Sequence, residues 1–205
     1  MLDVLKQEIR LYGVGAGSKG YTPGISGNIS ARYNDKVLIT SSGSANGYLK
    51  NEDLVLIDFD GNLLSGVTKA STEKYLHLEF YKKRPDINAI FHVHSPYLTA
   101  FASAHVALTE DISPEIIYCF GQIPLAEYAI PGSQELVDKT AKFFDDYDVV
   151  LLANHGVIVG GKTVQDAYLK LDLAENYAKT IICTKFLGGA KILPEEEVKK
   201  IYSLR

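Results

Sequence analysis

Val149-Val-Leu-Leu-Ala-Asn-His155-Gly-Val-Ile-Val159 is the stretch on which the reading of this chain turns. Five apolar residues in succession have the length of a strand, and Gly156 separates them from a second short strand, Val157-Ile-Val159, ending at Gly160-Gly161. A strand that is apolar at every position, rather than at alternate ones, needs cover on both faces. Downstream, residues 163–186 carry helical spacing with Ala167, Leu171, Ala174 and Ala178 on one face, and Gly188-Gly189 closes the segment. Upstream, Ala89-Ile-Phe-His-Val-His94 reads as another strand and Pro96–Ser103 as the helix after it. Residues 71–81 read as a helix opened by a Ser/Thr cap, with Glu73 on its first turn. The chain before that is β-rich. Asn28–Tyr33 and Lys36–Thr40 form a predicted hairpin around Asn34-Asp35, residues 54–58 a strand and residues 59–62 a turn. An amphipathic first helix at residues 1–10 and a Gly-rich stretch at 13–27 precede them. No repeat, linker or low-complexity segment divides residues 1–205, so a single α/β layered domain is the economical reading.

Composition narrows the function. A chain of 205 residues, 46% hydrophobic, buries roughly 70% of its unfolded surface and needs neither disulfides nor metal merely to fold. Any metal is therefore free to be catalytic. A net charge of -4, with no basic run longer than Lys82-Lys83-Arg84, argues against a nucleic-acid partner. Cys119 and Cys183 are far apart and read as free thiols, which suits a reducing compartment. The apolar runs are far shorter than the ~20 residues a membrane helix needs, and the N-terminus lacks the pattern of a signal peptide. A cytoplasmic protein with no membrane partner is the expectation.

Three of the five histidines fall in two compact signals, His92-Val-His94 and Asn154-His155-Gly156, each at the end of an apolar strand. Residues i and i+2 of a strand project to one face, so the imidazoles of His92 and His94 reach one point in space. Three neutral nitrogen ligands with an open fourth position describe a catalytic zinc better than a structural one. An isolated H-x-H pair is equally compatible with ordinary half-buried strand histidines. Ser71-Thr72-Glu73 places hydroxyls and free N–H groups at a helix N-terminus, a favourable seat for a phosphate, and is equally a capping motif. Gly27-Asn28 and Ser42-Gly43 lie in turns where backbone approaches an anion closely, or where Gly, Asn and Ser serve the turn alone.

In combination, Ser26-Gly-Asn-Ile-Ser-Ala-Arg32, Ile39-Thr-Ser-Ser-Gly43, Ser71-Thr-Glu73, His92-Val-His-Ser95 and Asn154-His-Gly-Val157 resemble, in order and spacing, the class II aldolase/adducin family. The resemblance spans nearly the whole chain and lies nearest the members that act on L-fuculose 1-phosphate. It implies a three-layer α/β/α domain with a mainly antiparallel central sheet, a homotetramer with sites at subunit interfaces, and one Zn2+ per subunit on His92, His94 and His155. It implies Glu73 as acid/base, and glutamate at that position favours the aldolase side, since the related ribulose-phosphate 4-epimerases resemble the pattern with Asp there. It further implies that Gly27, Asn28, Ser42, Gly43, Ser71 and Thr72 grip the substrate phosphate, and that Tyr118, read as a loop residue, is lent to a neighbouring subunit as proton donor. Tyr202 stands where such proteins carry a tail that closes the site.

The activity so implied is cleavage of a ketose 1-phosphate to dihydroxyacetone phosphate and an aldehyde through a metal-stabilised enediolate. Alternatives within the family are a methylthioribulose-1-phosphate dehydratase and a 5-deoxypentulose-phosphate aldolase. A non-catalytic interaction module, as in adducin, lacks the metal histidines that this chain retains. His77 and His105 match no ligand motif and receive no role, although His77 follows Glu73 by one helical turn.

Overall fold

Residues 1–204 are described by a computed structural model. The elements are α1 (Leu2–Ser18), β1 (Asn28–Tyr33), β2 (Lys36–Thr40), β3 (Leu54–Ile57), β4 (Leu63–Ser65), α2 (Lys74–Lys83), β5 (Ala89–Val93), α3 (Pro96–Ser103), α4 (Pro114–Cys119), β6 (Leu125–Ala126), α5 (Gln134–Ala141), β7 (Val149–Leu152), β8 (Gly156–Gly161), α6 (Val164–Lys185) and α7 (Glu195–Tyr202). All eight strands join one sheet in the order β4-β3-β2-β1-β5-β8-β7-β6. Every pairing is antiparallel except that of β6 with β7.

Strand alternation divides the interior in two. Ile29, Ala31, Phe91, Val149, Leu151, Val157 and Val159 pack with Ile9 of α1, Leu98 of α3 and the Ala167, Leu171, Ala174, Ala178 face of α6. Ile39, Val55, Ile90, Val150, Leu152 and Ile158 point the other way and pack with Leu76 and Phe80 of α2 and Leu136 of α5. Phe80 stacks on Phe144 with ring centroids 4.0 Å apart. The result is the expected three-layer α/β/α arrangement around a mainly antiparallel sheet, and the central strands are covered on both faces.

Three local expectations need correction. The first helix continues through Gly13, Gly15 and Gly17 to Ser18, because a bare backbone is required there. A Cβ at Gly13 would lie 2.6 Å from the Asn46 carbonyl oxygen, and one at Gly17 would lie 2.5 Å from the Gly47 Cα. Second, α2 begins at Lys74, with Glu73 in the N-cap position and no side-chain cap, so Ser71 and Thr72 precede the helix. Third, Tyr118 lies on α4 instead of a loop: Pro114 opens the helix at its first turn, where its missing N–H costs nothing. The short elements β4, β6, α5 and α7, of two to eight residues each, escaped the sequence reading. No helix among the described residues is long and apolar enough to cross a membrane.

Candidate metal centre and active site

The site forms where three loops leave the middle of the sheet. His92 occupies the penultimate position of β5, pairing across the sheet with Asn28 of β1 on one side and Ile158 of β8 on the other. Opposed cross-strand residues hold their Cβ atoms roughly 5 Å apart on one face, so Asn28 and His92 are neighbours by register alone. His94 follows just beyond the strand, its backbone N–H donating to the Tyr21 carbonyl at 3.1 Å. His155 sits in the β7–β8 turn after Asn154, which takes a left-handed φ of 53°. One nitrogen from each of the three imidazoles falls within 4.8 Å of the other two.

Hydrogen bonding shows what these nitrogens can hold. His92 Nδ1 lies 3.0 Å from the Val157 carbonyl and must donate to it, which leaves Nε2 as the ligand atom in the neutral ring. That Nε2 faces His155 Nε2 at 3.3 Å and Glu73 Oε2 at 3.1 Å. Two acceptors, Nε2 of the neutral His92 ring and the Glu73 carboxylate, thus face each other in a buried place, an arrangement that a proton between them or a cation relieves. His94 Nε2 is likewise buried without a hydrogen-bond partner. The 3.3 Å spacing matches the ~3.3 Å edge of a tetrahedron whose nitrogens lie ~2.0–2.1 Å from a common centre. The donor set fits a divalent metal.

Electrostatics agree. Burial opposes the charge on Glu73, but the charge and hydrogen bond of His92, followed by interactions with His155 and Asn28, outweigh it and hold the carboxyl well below the usual range. Burial also opposes protonation of His92, yet the Glu73 carboxylate raises its pKa. His94 and His155 are driven down to about 4, chiefly by burial and then by their positive neighbour His92. The raised His92 and the lowered Glu73 thus both favour positive charge at the place where a cation would sit.

The structure brings most of the remaining candidates to this point. Asn28 donates from Nδ2 to Glu73 Oε2 at 2.9 Å. Ser71 Oγ accepts from the Glu73 backbone N–H at 3.2 Å, and Ser71 N–H donates to the Thr40 carbonyl. The Ser42 N–H donates to the Lys69 carbonyl, so the loop bearing Ser42 and Gly43 runs beside Ser71. Gly43 has a φ of 78° with open space around it, and Thr72, exposed directly after Ser71, lies against Gly132. Gly27 has a packing reason of its own: a Cβ there would lie 2.5 Å from the His92 carbonyl oxygen.

Tyr118 is not brought in. It lines a groove of about 830 Å³ with Arg84, Asp148, Lys162 and Lys170. These residues lie at the end of the sheet where β5 begins and β8 ends, away from the three histidines. Within one chain Tyr118 cannot serve its own metal centre. Tyr202, the last residue of α7, belongs to a helix that packs against α4. Arg205 lies outside the described residues.

Several supporting residues carried no signal in the sequence. His77, fully buried, bonds to Asn28 Oδ1 and Ser30 Oγ. Asn46 donates to the carbonyls of Ser26 and Gly27, pinning the loop that leads into Asn28. His105 bonds to the Asn154 side chain and so braces the turn that carries His155. Glu175 of α6 accepts from Ser95 Oγ and from the N–H groups of Tyr97 and Leu98, capping α3 directly after His94. Only His77 had a detectable cue, its spacing of one helical turn from Glu73.

This chain belongs to the family of the class II aldolase and adducin N-terminal domain, which it matches over residues 8–182. It is similar to the L-fuculose phosphate aldolase of Methanocaldococcus jannaschii, 42% identical over 159 residues that cover 78% of this chain and 85% of that protein. It is also similar to the 5-deoxy-D-ribulose 1-phosphate aldolase of Bacillus thuringiensis serovar kurstaki, 36% identical with 98% and 95% covered. The 3-oxo-tetronate 4-phosphate decarboxylase of Haemophilus influenzae is 36% identical with 98% of each chain covered. A solved L-fuculose 1-phosphate aldolase superposes with a TM-score of 0.90 at 33% identity, over 97% of this chain and 94% of that one.

Proposed function

We propose that this protein is a zinc-dependent aldolase that cleaves a ketose 1-phosphate, L-fuculose 1-phosphate or a close analogue, to dihydroxyacetone phosphate and an aldehyde. The observation that carries the reading is the convergence of three imidazole nitrogens within 4.8 Å, with the ionised Glu73 carboxylate against them. His92, His94 and His155 would hold the ion. A divalent cation there supplies Lewis-acid stabilisation of negative charge developing on the substrate's carbonyl and adjacent hydroxyl oxygens.

The protein's own groups divide the remaining work. Asn28, Ser42, Gly43, Ser71 and Thr72 form the rim that takes the phosphate, through hydroxyl and N–H donors beside the start of α2. Gly27 lets that rim approach β5. Removal of the C4 hydroxyl proton breaks the C3–C4 bond and releases the aldehyde, and a proton returned to C3 completes dihydroxyacetone phosphate. Glu73 is the group placed to move a proton beside the histidines. Tyr118, facing away from its own centre, acts as proton donor only from a neighbouring copy, which gives the homotetramer a functional reason. A single domain throughout and a cytoplasmic location complete the proposal.

A second reading is favoured by the full-length similarity to a decarboxylase, because loss of carbon dioxide leaves negative charge that the same cation and carboxylate would meet. The test is parallel assay of zinc-loaded and chelator-treated protein on L-fuculose 1-phosphate, 5-deoxy-D-ribulose 1-phosphate and 3-oxo-tetronate 4-phosphate. Metal-dependent release of dihydroxyacetone phosphate from a ketose 1-phosphate supports the aldolase. Carbon dioxide release from 3-oxo-tetronate 4-phosphate, with no dihydroxyacetone phosphate formed from either ketose 1-phosphate, transfers the proposal to the decarboxylase.

A further inference from the structure

Two ladders interlock behind Asn28. Asn28 and Ser30 are separated by two residues on β1 and share one face; His77 and Tyr81 are separated by four on α2 and share another. All four side chains are buried, and each bonds to the next. Tyr81 Oη lies 2.8 Å from Ser30 Oγ, and Ser30 Oγ lies 2.7 Å from His77 Nδ1. His77 Nε2 is 2.6 Å from Asn28 Oδ1, and Asn28 Nδ2 is 2.9 Å from Glu73 Oε2. Apolar side chains would pack a strand against a helix at least as well, since a buried polar network helps only when every member is satisfied. Here each of the four side chains has its partners along the network, which ends on the Glu73 carboxylate.

The direction of the chain follows from its ends. An ionised carboxylate only accepts, so Asn28 must turn its nitrogen toward Glu73 and its oxygen toward His77. His77 must then donate from Nε2. Burial, followed by the positive charge of His92, lowers its pKa to about 3, so the ring is neutral and Nδ1 is left as an acceptor. Ser30 accordingly donates to Nδ1 and accepts from the Tyr81 hydroxyl, which burial keeps protonated. The reverse tautomer would set the Asn28 oxygen against Glu73 Oε2, acceptor against acceptor.

We propose that His77 is a positioning residue: held as the Nε2–H tautomer, it locks the Asn28 amide so that only N–H donors face Glu73 and the anionic group of the substrate. The second Asn28 Nδ2 hydrogen is then available to an oxygen of that group. The phosphate-binding part of this inference rests on the aldolase reading above; the tautomer and the amide orientation do not.

The test combines nitrogen NMR of 15N-histidine-labelled protein with two variants, His77→Phe and His77→Gln. At neutral pH, in chelated and zinc-loaded protein alike, His77 should show a protonated Nε2 and an unprotonated Nδ1. An Nδ1–H tautomer or a cationic ring overturns the proposal. His77→Phe should keep zinc content but lower kcat/KM by about 10- to 100-fold, the value of one well-placed hydrogen bond, with His77→Gln restoring most of it by donating to Asn28 from its own amide. Full activity in a folded His77→Phe, or a His77→Gln no better than it, overturns the positioning role. Should no sugar phosphate be turned over, the Asn28 side-chain amide signals decide: they should move in the Phe variant and keep their wild-type positions in the Gln variant. If the Phe variant fails to fold, the tautomer and the Gln variant still decide.

Discussion

Glu73 Oε2 lies 3.1 Å from His92 Nε2, with His92 fully buried and only an edge of Glu73 exposed to solvent. The carboxylate is drawn there because Asn28 donates to the same oxygen and because, as the N-cap residue of α2, Glu73 leaves its own helix uncapped and turns its side chain to the histidines.

Glu73→Gln should therefore separate metal binding from turnover. The amide retains the size of the carboxylate and leaves all three imidazoles in place, so zinc content, read by metal analysis, should stay near one per chain. Turnover should fall by about 10²- to 10⁴-fold, the usual contribution of a positioned acid/base. Unchanged kcat would remove Glu73 from the reaction.

Gly156→Ala should weaken the metal site through sterics alone. A Cβ at this position would come within 2.4 Å of the Val93 carbonyl oxygen and 2.6 Å of His94 Cδ2. Since a ring moved by about 1 Å spoils metal–ligand geometry, zinc affinity by chelator competition should drop at least ~10-fold. An unaltered affinity would mean that the β7–β8 turn can shift freely.

Glu175→Ala should cost stability. Its carboxylate accepts from Ser95 Oγ at 2.7 Å, Tyr97 N at 2.8 Å and Leu98 N at 2.9 Å, and Ala would orphan all three donors at the start of α3. A loss of about 3 kcal/mol is expected, which for a chain of this size lowers Tm by roughly 6–12 °C. A melt within a degree or two of wild type would show that water replaces the carboxylate.

Metal-free protein should lose stability on mild acidification. His77, His94 and His155 have pKa values lowered to about 3, 4 and 4 respectively, each mainly by burial. A depressed histidine supports the fold above its unfolded pKa of ~6.5 and loses that support as pH falls toward its folded value, because only the unfolded chain takes the proton. His92, whose pKa the Glu73 carboxylate raises against the effect of burial, has its stabilisation complete below the unfolded value and adds no slope in that window. Urea midpoints between pH ~6 and ~4.5 should decline, by roughly 1 kcal/mol per pH unit for each depressed histidine. His77→Gln should remove about a third of that slope, in a chelated sample; an unaltered slope would show that His77 titrates freely.

The parts of the fold that could be read in advance are those specified locally. The apolar run of β7, the spacing that makes α6, the Asn34-Asp35 hairpin with its φ of 54° at Asn34, and the Pro96 start of α3 are each written within a few consecutive residues. His92 and His94 belong to the same class: a period of two puts them on one side whatever the rest of the chain does.

By itself, then, the sequence determined six of the eight strands, the long helix and the three imidazoles, because local periodicity and ligand chemistry need no distant partner. Tertiary structure alone decided which residues hold that site in shape. Asn28 meets Glu73 across 45 positions, His92 meets His155 across 63, and Glu175 reaches back 80 to Ser95. Glycines that read as a break after the first helix proved helical because the Asn46–Gly47 backbone packs on them, and Tyr118 proved remote because α4 sits at the other end of the sheet. The physical reason is the same in each case. A hydrogen bond or a steric gap is a property of two surfaces, and the order of strands in the sheet sets which surfaces meet.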